Sequence, residues 1–175
     1  MLTLLLGGAR SGKSALAVEI GRRHAGPVVV VATSEPLDHD LAARIARHRG
    51  DRPPWPTVEE PVDLGAALAS VDGAALVIID CLTVWVSNLM QRSDSDAAIE
   101  AQSAAVAHLA AGRGAPTVVV SNEVGLGVHP ETALGLRYRD LLGRVNQQWA
   151  AVAGTSMVLV AGRALPLADP WAVLT

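Results

Sequence analysis

Thr3-Leu4-Leu5-Leu6-Gly7-Gly8-Ala9-Arg10-Ser11-Gly12-Lys13-Ser14 decides how the rest of this chain is read. Gly7 to Ser14 fits G-x-x-x-x-G-K-[ST], the P-loop. The apolar run Thr3–Leu6 reads as a buried parallel strand. From Ser14 to Arg23, Leu16, Ala17 and Ile20 fall near helical spacing. Strand, glycine loop and helix therefore follow in the order that builds an anion site. Loop N–H groups and the helix N-terminus face the α- and β-phosphates, and Lys13 reaches the β- and γ-phosphates. The Ser14 hydroxyl is placed to ligate Mg²⁺. Lys13 is also the only lysine in the chain, against thirteen arginines. A compact ammonium on a flexible stem fits a tight cradle that a planar guanidinium does not. The pattern predicts a site for a nucleoside triphosphate; the competing reading is a glycine-rich turn that merely opens a helix.

Working outward, apolar runs recur at Val28–Ala32, Ala75–Asp80, Thr117–Ser121 and Met157–Val160. Helix-like segments lie between them at Leu37–Arg49, Val62–Val71, Cys81–Arg92, Asp96–Arg113 and Leu136–Ala153. That alternation predicts an α/β fold of the P-loop NTPase type, a mostly parallel sheet flanked by helices on both faces. Length and the absence of a linker or repeat predict a single domain over residues 1–175. The proline-rich stretch Gly50–Pro61 reads as an ordered loop over the site, since its prolines exclude helix. Half the residues are apolar and Phe is absent, so Leu, Val, Ile and Ala must fill the core.

Composition narrows the function classes. A net charge of −3 without a long basic stretch argues against nucleic acid as a partner. No apolar stretch approaches the ~20 residues of a membrane span. A single cysteine excludes an internal disulfide framework and suits a reducing compartment. The run before Lys13 is too short for a signal peptide, and the expected location is cytoplasmic.

Ligands on such sheets bind beyond the C-terminal ends of the strands. Asp80 closes Ala75-Leu76-Val77-Ile78-Ile79-Asp80, the Walker B arrangement for a Mg²⁺ carboxylate; the alternative is an N-cap for the next helix. Arg44, Arg47, Arg49 and Arg52 surround His48. The arginines suit phosphate, and nearby positive charge favours neutral imidazole, a nucleophile toward phosphorus. A solvated helical face with a surface histidine is the plainer reading of those residues alone. Ser121-Asn122-Glu123-Val124-Gly125-Leu126-Gly127 could be a substrate loop, with Glu123 as base or outer-sphere Mg²⁺ partner, or simply a turn. Arg144 could reach phosphate; an ion pair with Asp140 one turn earlier is the favoured alternative. Cys81 reads as a small buried hydrophobe, and His24, His39 and His108 as surface residues.

These segments together resemble a known family, the bifunctional adenosylcobinamide kinase / adenosylcobinamide-phosphate guanylyltransferases. The resemblance is carried by Gly7–Ser14, Ala32-Thr33-Ser34, Ala43-Arg44-Ile45, His48-Arg49-x-x-Arg52-Pro53, Asp80-Cys81-Leu82-Thr83 and Val86-Ser87-Asn88-Leu89. Ser121–Gly127, Arg139-Asp140 and Gly143-Arg144-Val145-Asn146-Gln147 extend it over nearly the whole chain. It implies two reactions: γ-phosphoryl transfer from ATP or GTP to adenosylcobinamide, then GMP transfer from GTP to adenosylcobinamide phosphate through a covalent histidine, His48 by motif. It also implies nucleotide contacts from Gly7, Gly8, Ala9, Arg10, Ser11, Gly12, Lys13, Ser14, Thr33, Ser34, Glu35, Arg49, Gly50, Asp51, Arg52, Glu59 and Asp80. Lys13 and Asp80 would join His48 in catalysis, Ser14 and Asp80 would hold Mg²⁺, and the chain would form a homo-oligomer, with a trimer the form the resemblance suggests. The tail from Ala164 onward takes no role from it. A single-activity P-loop kinase would leave the histidine segment idle, and a nucleotide switch would need no acceptor.

Overall fold

The computed structural model describes residues 1–34 and 50–174. The expected segment over residues 37–49, with His39, Arg44, Arg47, His48 and Arg49, and also Glu35, lie outside the described residues. The elements run β1 (Leu2–Gly7), α1 (Lys13–Arg23), β2 (Val28–Ala32), β3 (Thr57–Glu59), α2 (Leu64–Ser70), β4 (Leu76–Asp80) and α3 (Leu82–Gln91). They continue as α4 (Asp96–Ala111), β5 (Thr117–Val120), α5 (Ala133–Val152), β6 (Thr155–Val160), β7 (Arg163–Leu167) and α6 (Pro170–Leu174).

The strands form one sheet in the order β3-β2-β4-β5-β1-β6-β7. Every neighbouring pair is parallel except β6–β7. Strand side chains alternate between faces, so apolar residues at both parities demand cover on both. Leu2, Leu4, Leu6, Val77, Ile79 and Val119 join α2, α3, α4 and α5 in one cluster, where Trp85 and Trp149 are fully buried. Leu5, Val28, Val30, Leu76, Ile78, Val118 and Val120 form the other cluster with α1, through Ala17, Leu16 and Ile20. Trp55 packs there too, its indole filling the space a side chain at Gly21 would need.

Three features depart from the sequence reading: the proline-rich stretch, the tail and the partner of Arg144. The proline-rich stretch is not loop throughout: Thr57, Val58 and Glu59 pair with Val30, Val31 and Ala32 as edge strand β3. The run lies between Pro56 and Pro61, where an edge strand tolerates missing donors. The tail carries β7 and α6, which apolar periodicity does not announce because every residue of β7 is exposed. Arg144 pairs not with Asp140 but with Glu100 at 2.6 Å and Asp96 at 3.2 Å, while Asp140 takes Arg139. Packing α5 on α4 brings those acids closer than the next helical turn does.

Candidate nucleotide site

β1, β2, β4 and β5 all end at the same edge of the parallel sheet, and the chain leaving them builds the site. After β1 the backbone turns through Gly7 (φ 146), Arg10 (φ 55) and Gly12 (φ 105), values that exclude most side chains at the two glycines. The Leu159 carbonyl occupies the place of a Cβ on Gly7, whereas Gly8 faces open space. Gly8, Ala9 and Arg10 are exposed; Ser11 and Lys13 are buried and Ser14 is half-buried.

Lys13 does not extend into solvent. Its Nζ donates to the Gly7 carbonyl at 2.8 Å, the Gly8 carbonyl at 2.7 Å and Ser11 Oγ at 3.3 Å. The ammonium is thus folded back under the loop it belongs to. Burial lowers its pKa, while the nearby acidic groups of Cys81 and Asp80 act in the opposite direction. α1 opens on Gly12, which has no side chain to cap it, and no acidic residue stands in its first turn. By contrast Asp63, Ser95 and Thr132 cap α2, α4 and α5 with side-chain oxygens. The first-turn N–H groups of α1 are therefore left for an anion.

Across the sheet, Asp80 is half-buried at the end of β4. It does not cap the helix that follows: the N-cap of α3 is Cys81, without a side-chain bond. Burial pushes the Cys81 thiol up to about 11, with Asp80 adding to the rise, so it is a thiol at neutral pH. Thr33 is fully buried. Its hydroxyl donates to the Cys81 carbonyl at 2.8 Å and accepts from the Cys81 N–H at 2.9 Å, which ties the end of β2 to the end of β4. Ser34 is half-buried beside it. Gly50 and Asp51 are exposed, and Arg52 donates to Thr57 Oγ1 at 2.8 Å. Arg52, Pro53, Pro54, Trp55, Thr57 and Glu59 line an open cleft of about 470 Å³ along the β3 edge.

Asn88, Thr83, Ser121 and Asn146, singled out only as parts of motifs, hold these loops, and Glu123 joins them. Asn88 donates from Nδ2 to the carbonyls of Thr33 (2.8 Å) and Pro61 (3.0 Å). Thr83 Oγ1 accepts from the Asn122 N–H at 2.7 Å. Ser121 donates to Asn146 Oδ1 at 2.7 Å, and Asn146 Nδ2 donates to the Asn122 carbonyl at 3.1 Å. The Glu123 N–H reaches the Gly7 carbonyl at 3.1 Å, and its carboxylate accepts from the Gly125 N–H. The sequence signal is an amide or hydroxyl on an otherwise apolar helix face, which burial obliges to find a partner.

Ser14 and Asp80 are oxygen donors, the chemistry a hard divalent cation takes. Among the described residues no cluster of three His, Cys, Asp or Glu could hold a metal unaided. A cation here would depend on phosphate oxygens and water for the rest of its shell.

A family model described as cobinamide kinase / cobinamide phosphate guanyltransferase matches residues 3–167. The chain is 37% identical over 169 residues to the bifunctional adenosylcobalamin biosynthesis protein CobP of Pseudomonas aeruginosa, covering 95% of this chain and 97% of that protein. It is 39% identical over 176 residues to the bifunctional adenosylcobalamin biosynthesis protein CobU of Escherichia coli K12, covering 93% and 97%. Among solved structures, an ATPase of a type III secretion system of pathogenic bacteria superposes with a TM-score of 0.57 at 10% identity, over 91% of this chain and 51% of that one. The last likeness is one of fold alone, and the fold is that of the P-loop NTPases. The family match along nearly the entire length places this chain in the cobinamide kinase / cobinamide phosphate guanyltransferase family.

Proposed function

We propose that this chain phosphorylates adenosylcobinamide with ATP or GTP and then transfers GMP from GTP to the product, giving adenosyl-GDP-cobinamide. The observation that carries the reading is Lys13, buried within the Gly7–Ser14 loop and held by two loop carbonyls at the uncapped N-terminus of α1. In the first reaction the acceptor hydroxyl oxygen attacks the γ-phosphorus and gives up its proton to solvent, and the bond to the β–γ bridging oxygen breaks. Lys13 and the α1 N–H groups neutralise and orient the phosphates, which is most of what phosphoryl transfer asks of a protein. Mg²⁺, held by Ser14 and Asp80, would offset further phosphate charge.

In the second reaction an imidazole nitrogen of His48 attacks the α-phosphorus of GTP and pyrophosphate leaves. The phosphate of the acceptor then attacks the same phosphorus and releases His48. Glu35, Arg49, Gly50, Asp51, Arg52 and Glu59 complete the nucleotide contacts. Support for this half is the family membership and the position of Arg52 and Glu59 on the cleft. The reading further takes residues 1–175 as one domain, working in the cytoplasm as a homo-oligomer. No described helix is long and apolar enough to cross a membrane.

The test uses GTP labelled at the α-phosphate. The wild-type chain is expected to retain acid-labile, alkali-stable label, and His48→Ala to lose both label and guanylyl transfer while keeping measurable kinase activity. Labelled His48→Ala protein would place the nucleophile elsewhere. A wild-type chain that never takes label but phosphorylates adenosylcobinamide would reduce the reading to a single-activity kinase.

A further inference from the structure

The far edge of the sheet reaches back to the P-loop. β6 ends at Val160, and Ala161 (φ 50) and Gly162 (φ 73) reverse the chain into β7. Two consecutive left-handed residues are the geometry of a tight hairpin turn. The turn is exposed, yet its backbone touches the P-loop. The Gly162 N–H donates to the Ser11 carbonyl at 2.9 Å. The Gly162 Cα lies 3.3 Å from where a Cβ on Gly12 would stand, so the two glycines meet backbone to backbone. At the neighbouring contact Leu159, nearly fully buried, sets its carbonyl against Gly7. Both glycines that frame the P-loop thus rest on β6 and its turn.

We propose that the β6–β7 turn is a positioning element of the nucleotide site, with Gly162 the residue that sets it; this rests on the nucleotide-binding reading of Gly7–Ser14. A peptide unit is planar and trans, so its carbonyl and N–H point in opposite directions. Binding the Ser11 carbonyl from the hairpin side turns the Gly12 N–H away from the hairpin, toward the interior of the loop. Gly12 is also the N-cap of α1, so the same contact fixes where that helix begins. Space is not the constraint at position 162, because among the described residues nothing lies within 4 Å of a Cβ built there. The constraint is φ: a β-branched residue leaves the left-handed region, and the N–H moves with it, whereas Asn tolerates that region.

The experiment measures binding of a fluorescent GTP analogue and steady-state kinetics for wild type, Gly162→Val, Gly162→Asn and Lys13→Ala. Gly162→Val is expected to raise the nucleotide Kd and nucleotide KM about tenfold, with the adenosylcobinamide KM within about twofold; Gly162→Asn should stay within about twofold of wild type. A folded Gly162→Val with wild-type nucleotide affinity overturns the proposal, and so does a Gly162→Asn as impaired as Gly162→Val. If Gly162→Val does not fold, Gly162→Ala gives the same reading at about threefold, and unchanged affinity there is equally fatal. A wild-type chain that binds GTP no better than Lys13→Ala would instead bring down the nucleotide reading on which the proposal stands.

Discussion

β4 and β7 belong to one sheet but are held in it by different means. From Leu76 to Ile79 every residue of β4 is buried, with strands on both sides and helices on both faces. Every residue of β7 is exposed; it has one neighbour, β6, and a turn pressed against the P-loop. The centre of the sheet is specified by apolar burial, and its last strand by backbone pairing. Substitutions should therefore act through hydrophobic free energy in the centre and chiefly through loop geometry at the edge.

That contrast can be broken or sharpened by measurement. The largest effect is expected at Lys13→Ala, which should abolish both activities. Its melting temperature should stay near wild type, because the side chain serves loop carbonyls rather than the core. A near-normal turnover would sink the P-loop assignment. Next comes Trp149→Ala on α5, fully buried in the cluster that covers β4's face, at about 3–5 kcal/mol of unfolding free energy in denaturant titration. Asp80→Asn should cost about 2 kcal/mol in kcat/KM for the nucleotide, with little loss of stability. Cys81 rather than Asp80 occupies the N-cap of α3, so unchanged kinetics would leave Asp80 with neither of its expected roles.

Cys81 gives a pH test of the centre. Its thiol pKa rises from the ordinary 9.0 to about 11 on folding. Below pH 9 both states hold the proton and nothing changes. Between 9 and 11 the unfolded chain releases it while the folded chain keeps it, so stability should fall as pH rises through that window. Cys81→Ala should flatten this slope, and a slope as steep as in wild type would show that folding does not raise the thiol's pKa. The smallest effect is expected at Leu165→Ser on β7, within about 0.5 kcal/mol, since the side chain is 60% exposed. A loss above about 1.5 kcal/mol that depends on protein concentration would mean another copy covers the edge, and the comparison would then have to be redrawn.

The same contrast explains what could be read from sequence. β2 was expected at Val28–Ala32 and lies there, and β4 starts one residue later than its apolar run. Both open with four consecutive Val, Leu or Ile residues, a run that suits a strand buried on two faces. β7 is Arg-Ala-Leu-Pro-Leu, too polar at one end and broken by Pro166, and its place comes from pairing with β6. β3 hid for a similar reason, three residues between prolines. At the site, Gly7–Ser14 was legible because its spacing is dictated by backbone chemistry alone. The supports contributed by Asn88, Thr83 and Asn146 were not, since each depends on a partner 24 or more residues away.

A chain with one lysine carries one ε-amine, and that amine sits in the P-loop. Reductive methylation with ¹³C-formaldehyde would therefore place a single side-chain label, distinguishable from the α-amine by its own titration. Its methyl resonance would report directly on what occupies the phosphate cradle, in a protein that needs no substitution to make the spectrum simple. The lysine is only 6% exposed, so slow modification in the folded chain and quick modification in denaturant would measure how often the loop opens.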